Sequence, residues 1–281
     1  MRKLLNFIIA AAMLAGWEAT SQTLPLPAIP AHITAPADRA DYLLEHFWDS
    51  LPARDVTEEE LSEFLSVFPH ASAEGRRRGA ELFVALVGGQ GEESVLRMAG
   101  LLEGYLLDRQ SPVRDDAAYV AFADAMIAAH WPGKESTAYL RDMVMRVPVG
   151  SEAPDFSIRT AEGAVVSLRD AGAGRRTVLL FHSPGCEDCH RLIERIGGDS
   201  RLSALVDSGK IEVVAVSLPG DDEEHATEGL PAEWIAGVAL EDVGEELYSI
   251  PAFPTLYLLS PEGRVELKDA TFGELVSMLG G

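Results

Sequence analysis

The strongest constraint on this fold lies in one stretch. From Thr177 to Phe181 the chain is almost wholly apolar, and it leads through His182, Ser183, Pro184 and Gly185 into Cys186-Glu187-Asp188-Cys189. An apolar run of strand length, with no polar alternation, suits a strand buried on both faces. Ile211 to Ser217 is a second such run. The Pro-Gly turn ends the first strand, and the amphipathic segment after it places Cys186 at a helix start. There the unpaired backbone N–H groups and the positive end of the helix dipole favour a thiolate over a thiol. Cys186 is therefore the candidate nucleophile. Cys189, one turn further in and facing the core, can reach the Cys186 sulfur and close a disulfide, which needs Cα atoms about 5.5 Å apart. It is the candidate resolving thiol. The chain has only these 2 cysteines. A disulfide across so short a loop removes little entropy from the unfolded chain, so redox chemistry explains the pair better than stabilisation does.

Other segments complete an α/β pattern. Phe156–Ile158 and Val165–Leu168 flank Glu162-Gly163 as an opening hairpin. Thr255–Leu259 and Arg264–Lys268 form another across Pro261-Glu262-Gly263, and a helix follows from about Thr271. Strands alternating with helices imply a mixed central sheet with helices on both faces. The preceding half reads as all-α. Apolar residues recur at helical spacing around Tyr42–Leu51 and Leu61–Phe68, and further helices are expected over 74–87, 92–108, 115–130 and 135–146. Nothing there assembles a recognisable site; His46, His70 and His130 are isolated.

Met1-Arg2-Lys3, an apolar stretch from Leu4 to Trp17, and small residues at Ala19 and Ser21 read as a secretory signal peptide. A lipid-accepting cysteine would fall at position 17, which is Trp17, so lipidation is unsupported. The expected organisation is a signal peptide over 1–21, a Pro-rich linker over 22–37, a helical domain over 38–147 and an α/β domain over 148–281. Export to the periplasm or cell envelope puts the cysteines in an oxidising compartment. A net charge of −22, from 45 acidic against 23 basic residues, argues against nucleic acid as a partner.

Ile250-Pro251-Ala252-Phe253-Pro254-Thr255 stands immediately ahead of an apolar strand. With the cysteine pair at a helix start, this segment resembles the thioredoxin superfamily. The resemblance implies a cis-proline at Pro254 opposite the cysteines, with Phe253, Pro254 and Thr255 offering backbone groups to a bound substrate chain. Gly150 to Phe156, with Gly163 and Ser167-Leu168 following, looks more narrowly like the envelope branch that includes cytochrome-maturation reductases. The likeness covers 148–281, with a central insertion from Gly220 to about Val238. The Arg39–Trp48 helix looks like an uncharacterised domain that precedes such domains in some bacterial envelope proteins. The resemblance implies a protein thiol-disulfide oxidoreductase whose only redox group is the Cys186–Cys189 disulfide. Its partners would be protein thiol or disulfide clients and a membrane electron donor.

Departures from the pattern bear on the chemistry. Thioredoxin has a buried Asp six residues before its first cysteine and a Trp directly before it; here those positions are Leu180 and Gly185. Reductases of the envelope branch often carry a Glu three residues after the second cysteine, where this chain has Leu192. His190, four residues beyond Cys186, and His182 at the strand end are candidate modulators of the thiol. So are Glu187 and Asp188, whose charges disfavour a neighbouring thiolate and point to a reductant or isomerase. A structural zinc site needs four ligands and has no second cysteine pair here. The other readings are a copper carrier using a distant histidine such as His225, or a non-catalytic binding protein on the same scaffold. A peroxidatic cysteine would follow a Pro and a Thr where this chain has Leu179 and Ser183.

Overall fold

The computed structural model describes residues 24–280, so the signal peptide over 1–21, with Trp17 inside it, lies outside the described residues. The helical half comprises α1 (Pro36–His46), α2 (Glu58–Leu65), α3 (Ala73–Gly88), α4 (Glu92–Leu107), α5 (Asp116–Ala128) and α6 (Lys134–Met145). The starts follow sequence chemistry. Thr57 and Glu60 form a reciprocal capping box on α2, Ser72 caps α3, and Asp115 caps α5. Pro36 sits in the first turn of α1, where its missing N–H costs nothing. The extended linker thus ends before 36, and it is not a free tether, because Leu24 is buried in the helical core. That core centres on Phe47, Phe64, Phe68, Phe83 and Phe122, all fully buried. Phe122 lies 5.0 Å from Phe68 and 5.7 Å from Phe83 between ring centroids, close enough for favourable tilted and edge-on contact.

The second half is a seven-stranded sheet. Its strands are β1 (Ser157–Thr160), β2 (Val165–Ser167), β3 (Arg176–Phe181), β4 (Ile211–Ser217), β5 (Ile235–Ala239), β6 (Thr255–Leu259) and β7 (Val265–Leu267). They run in the order β2-β1-β5-β4-β3-β6-β7. β3, β4 and β5 are parallel; β1 pairs antiparallel with β2 and β5, and β6 with β3 and β7. The helices are a short α7 (Leu168–Ala171), then α8 (Glu187–Gly198), α9 (Ser200–Asp207) and α10 (Phe272–Leu279). The apolar runs of β3 and β4 are central and buried throughout, because a core lies on each face of the sheet. Leu179, Phe181, Val214 and Val216 join one core. Val178, Leu180, Val213 and Ala215 join the other, with Cys189 and α8. Period-2 alternation makes this division.

Two elements depart from the sequence reading. β5 falls inside the stretch read as an insertion. Its five residues include Gly237, where a Cβ would come within 2.2 Å of the Arg159 carbonyl oxygen, so the strand pairs closely at the cost of a weak pattern. α9 begins at once after α8, capped by Asp199. Val147, at the end of the expected helical segment, packs into the sheet core.

Candidate active site

β3 ends at Phe181 and α8 begins at Glu187, with Cys186 as its N-cap residue. The Ser183–Cys186 turn closes through Cys186 N–H to the Ser183 carbonyl at 3.1 Å. The Cys186 sulfur accepts the Cys189 backbone N–H at 3.2 Å, so one otherwise unpaired helix N–H points at it. The cysteines form a disulfide with Cα atoms 5.2 Å apart. Their environments differ sharply: Cys186 is partly exposed, whereas Cys189 is fully buried against Leu180, Ile193 and Leu256. Of the two cysteines, only Cys186 is partly exposed to solvent.

The flanking charges are paired. Arg191, three and four residues on, ion-pairs with Asp188 and with Glu187, the latter at 2.6 Å. All three side chains are exposed, so the pairs are worth about 0–1 kcal/mol each. Even so, they oppose the local negative charge. Arg191 was legible from its helical spacing. The His190 imidazole is exposed and its Nε2 lies 2.6 Å from the Pro184 carbonyl oxygen, which braces the turn.

His182 is buried, and burial pulls its pKa down to about 4; the Asp221 charge opposes that shift and His190 adds to it. Its N–H continues the β3–β4 pairing by donating to Val216 at 3.0 Å. Strand alternation puts His182 on the sheet face that carries Val178, Leu180 and Cys189. Ser217, which follows Val216 on β4, shares that face by the same alternation. His182 Nε2, Ser217 Oγ and Asp221 Oδ2 are buried with no hydrogen-bond partner among the described residues. The sequence reading missed Ser217 and Asp221. Their signal lies in the β3–β4 register, which is tertiary.

The Phe253–Pro254 peptide is cis. Pro254 is buried at the entry to β6, whose first residue, Thr255, pairs with Phe181 at the end of β3. Phe253 is half-buried and packs against both sheet cores, one of which contains Cys189 and is also contacted by Cys186. The structure thus gathers Cys186, Cys189, His182, His190 and the Phe253–Thr255 segment at one end of the sheet. Among the described residues no group of three or more His, Cys, Asp or Glu could hold a metal ion, and His225 pairs with Asp222 at 2.8 Å.

This chain is similar to several known proteins. Residues 12–147 match a family model described as a domain of unknown function (DUF5106). A crystal structure of a thioredoxin-like protein from Bacteroides caccae, 27% identical, aligns over 92% of this chain and 98% of its own, with a TM-score of 0.75. Thioredoxin-like protein YneN of Bacillus subtilis is 26% identical over 121 residues, which is 42% of this chain and 68% of that protein. A thioredoxin domain of a thiol-disulfide oxidoreductase from Bacteroides vulgatus is 23% identical over 47% of this chain and 96% of its own, with a TM-score of 0.42. The α/β half is a thioredoxin-like fold behind an all-α half.

Proposed function

We propose that this thioredoxin-like chain is a protein thiol-disulfide oxidoreductase of the bacterial cell envelope, acting through Cys186 and Cys189. The observation that carries the reading is the asymmetry of the pair: one sulfur is accessible at a helix N-cap, and its partner is fully buried one turn on. In the reducing direction the Cys186 thiolate attacks one sulfur of a client disulfide. A mixed disulfide forms and the other client sulfur leaves as a thiolate. Cys189 then gives up its proton and its sulfur attacks Cys186. The mixed disulfide breaks, the second client thiol departs, and two electrons have passed from protein to client. Phe253, Pro254 and Thr255 would hold the client backbone beside the reacting sulfurs.

Turnover needs a two-electron thiol donor, which for an exported protein means one supplied across the membrane. Direction follows from local charge. Glu187 and Asp188 disfavour a thiolate at Cys186; Arg191 and the helix dipole favour it, but Arg191 offsets only one of the two carboxylate charges. The potential should therefore fall nearer thioredoxin's roughly −270 mV than a strong oxidant's roughly −120 mV. Residues 1–21 as a cleaved leader fit the compartment. The test is insulin reduction by the pre-reduced protein. Cys186→Ser should abolish it, and an unaltered protein that reduces no insulin would favour a binding protein or metal carrier on the same scaffold.

A further inference from the structure

The helical half reaches into the redox half at a place that ordinary packing does not require. The connection between α4 and α5 carries Arg109 and Arg114. Arg109 Nη1 donates to the Pro254 carbonyl at 2.6 Å, and its other terminal nitrogen lies 3.7 Å from Asp269. Arg114 holds the same Asp269, by its backbone carbonyl at 2.7 Å and its carboxylate at 3.4 Å. Lys268 returns the contact, reaching Asp116 at 3.0 Å and the Val144 carbonyl at 2.5 Å. Lys268 and Asp269 are both buried, at 9% and 3% exposure. Burying charge is expensive, and apolar side chains could join two halves as well or better. What charge-assisted bonds add is fixed geometry.

That geometry ends on the segment ahead of β6. Three of its carbonyls are held by side-chain donors: Ser249 by Tyr257 at 2.7 Å, Ala252 by Thr255 at 2.6 Å, and Pro254 by Arg109. The first two donors belong to β6 itself; the third comes from the helical half, 145 residues away in sequence. The Leu256 carbonyl accepts the Ala270 N–H. By strand alternation the Pro254 carbonyl therefore faces the same way, away from β3 and the cysteines. Arg109 thus takes the acceptor on the outer side, away from Cys186.

We propose that Arg109 is a positioning residue for the redox site, acting through the Pro254 carbonyl to fix how a client backbone is presented to Cys186. The proposal rests on the oxidoreductase reading and assigns the helical half a part in client handling. A protein client that must lie along the Phe253–Thr255 segment should depend on Arg109. A small disulfide that needs only the exposed sulfur should not.

The test uses the full chain, pre-reduced, with insulin as the protein disulfide and cystine as the small one. Followed as single turnovers under excess substrate, Arg109→Ala is expected to raise the insulin concentration at half-maximal rate, here KM, about tenfold, while the limiting rate, the cystine rate and the glutathione equilibrium constant stay within about twofold. Arg109→Lys, which keeps a cationic donor, should recover most of the loss. An unchanged insulin KM, or equal losses with both substrates, overturns the proposal. Should Arg109→Ala fail to fold, Asp269→Asn decides. Asn tolerates the left-handed backbone at φ 43° and removes the carboxylate that faces Arg109. A smaller rise confined to insulin supports the proposal, and no rise contradicts it. If the unaltered protein reduces neither substrate, the oxidoreductase reading itself has failed and takes this inference with it.

Discussion

His182 and Ser217 stand one step beyond the last register pair of β3 and β4, on the sheet face that also carries Cys189. Both are buried, and neither side chain has a hydrogen-bond partner for its Nε2 or Oγ among the described residues. A neutral imidazole is the form such a place tolerates. With its pKa pulled from 6.5 to about 4, His182 binds fewer protons folded than unfolded between those values. Stability should therefore be full above about pH 6.5 and fall as pH drops toward 4, by at most about 3 kcal/mol from this group. Chemical denaturation of the oxidised protein across that range checks it. His182→Asn should flatten the difference; an unchanged slope would remove His182 as the cause.

The charge argument for direction is separable from the scaffold. Replacing both Glu187 and Asp188 by their amides should favour the Cys186 thiolate and stabilise the reduced form. The potential should become more oxidising by about 10–30 mV, small because these side chains are exposed. Arg191→Gln should move it the other way. Equilibration with glutathione reads both shifts, and movement of the two variants in the same direction would contradict the electrostatic account.

The helical half has its own aromatic core, so damage there should register as stability before chemistry. Phe64 touches Phe47, Phe68, Phe83 and Phe122 and is fully buried. Phe64→Ala should cost about 3–5 kcal/mol in urea unfolding. The glutathione equilibrium constant should hold as long as the chain is folded.

Gly237 offers a matching test in the sheet. A methyl group there would meet the Arg159 carbonyl carbon and oxygen, at 2.8 and 2.2 Å. Both are backbone atoms of β1 and cannot swing aside. Gly237→Ala should lower the melting temperature by several degrees, on the order of 1–3 kcal/mol of overpacking. A variant as stable as the parent would show that β1 and β5 can separate without loss.

Much of this architecture was legible because the relevant signals are local. The buried runs of β3 and β4, the Pro-Gly turn and the helix start at Cys186 each declare themselves within a few residues. So does the Phe253–Pro254 segment, by resemblance. β5 was missed because Gly237 answers to a neighbouring strand's backbone rather than to a pattern of its own. Arg109 was invisible for a related reason. Nothing in Asp108-Arg109-Gln110 marks a partner at Pro254, since only the packing of the two halves brings them together. The same holds for Ser217 and Asp221 beside His182, whereas Arg191 could have been found from its spacing to Glu187 and Asp188.

The central claim is that Cys186 attacks and Cys189 resolves. It is tested most directly by incubating each reduced single-cysteine variant with insulin, quenching with an alkylating agent, and identifying covalent adducts by mass spectrometry without reduction. Cys189→Ser should accumulate an insulin adduct at Cys186, because the accessible sulfur can attack and no second thiol can release it. Cys186→Ser, left with a sulfur that is fully buried, should accumulate none. Adducts formed through Cys189 alone would reverse the two roles, and adducts with neither variant would contradict the account.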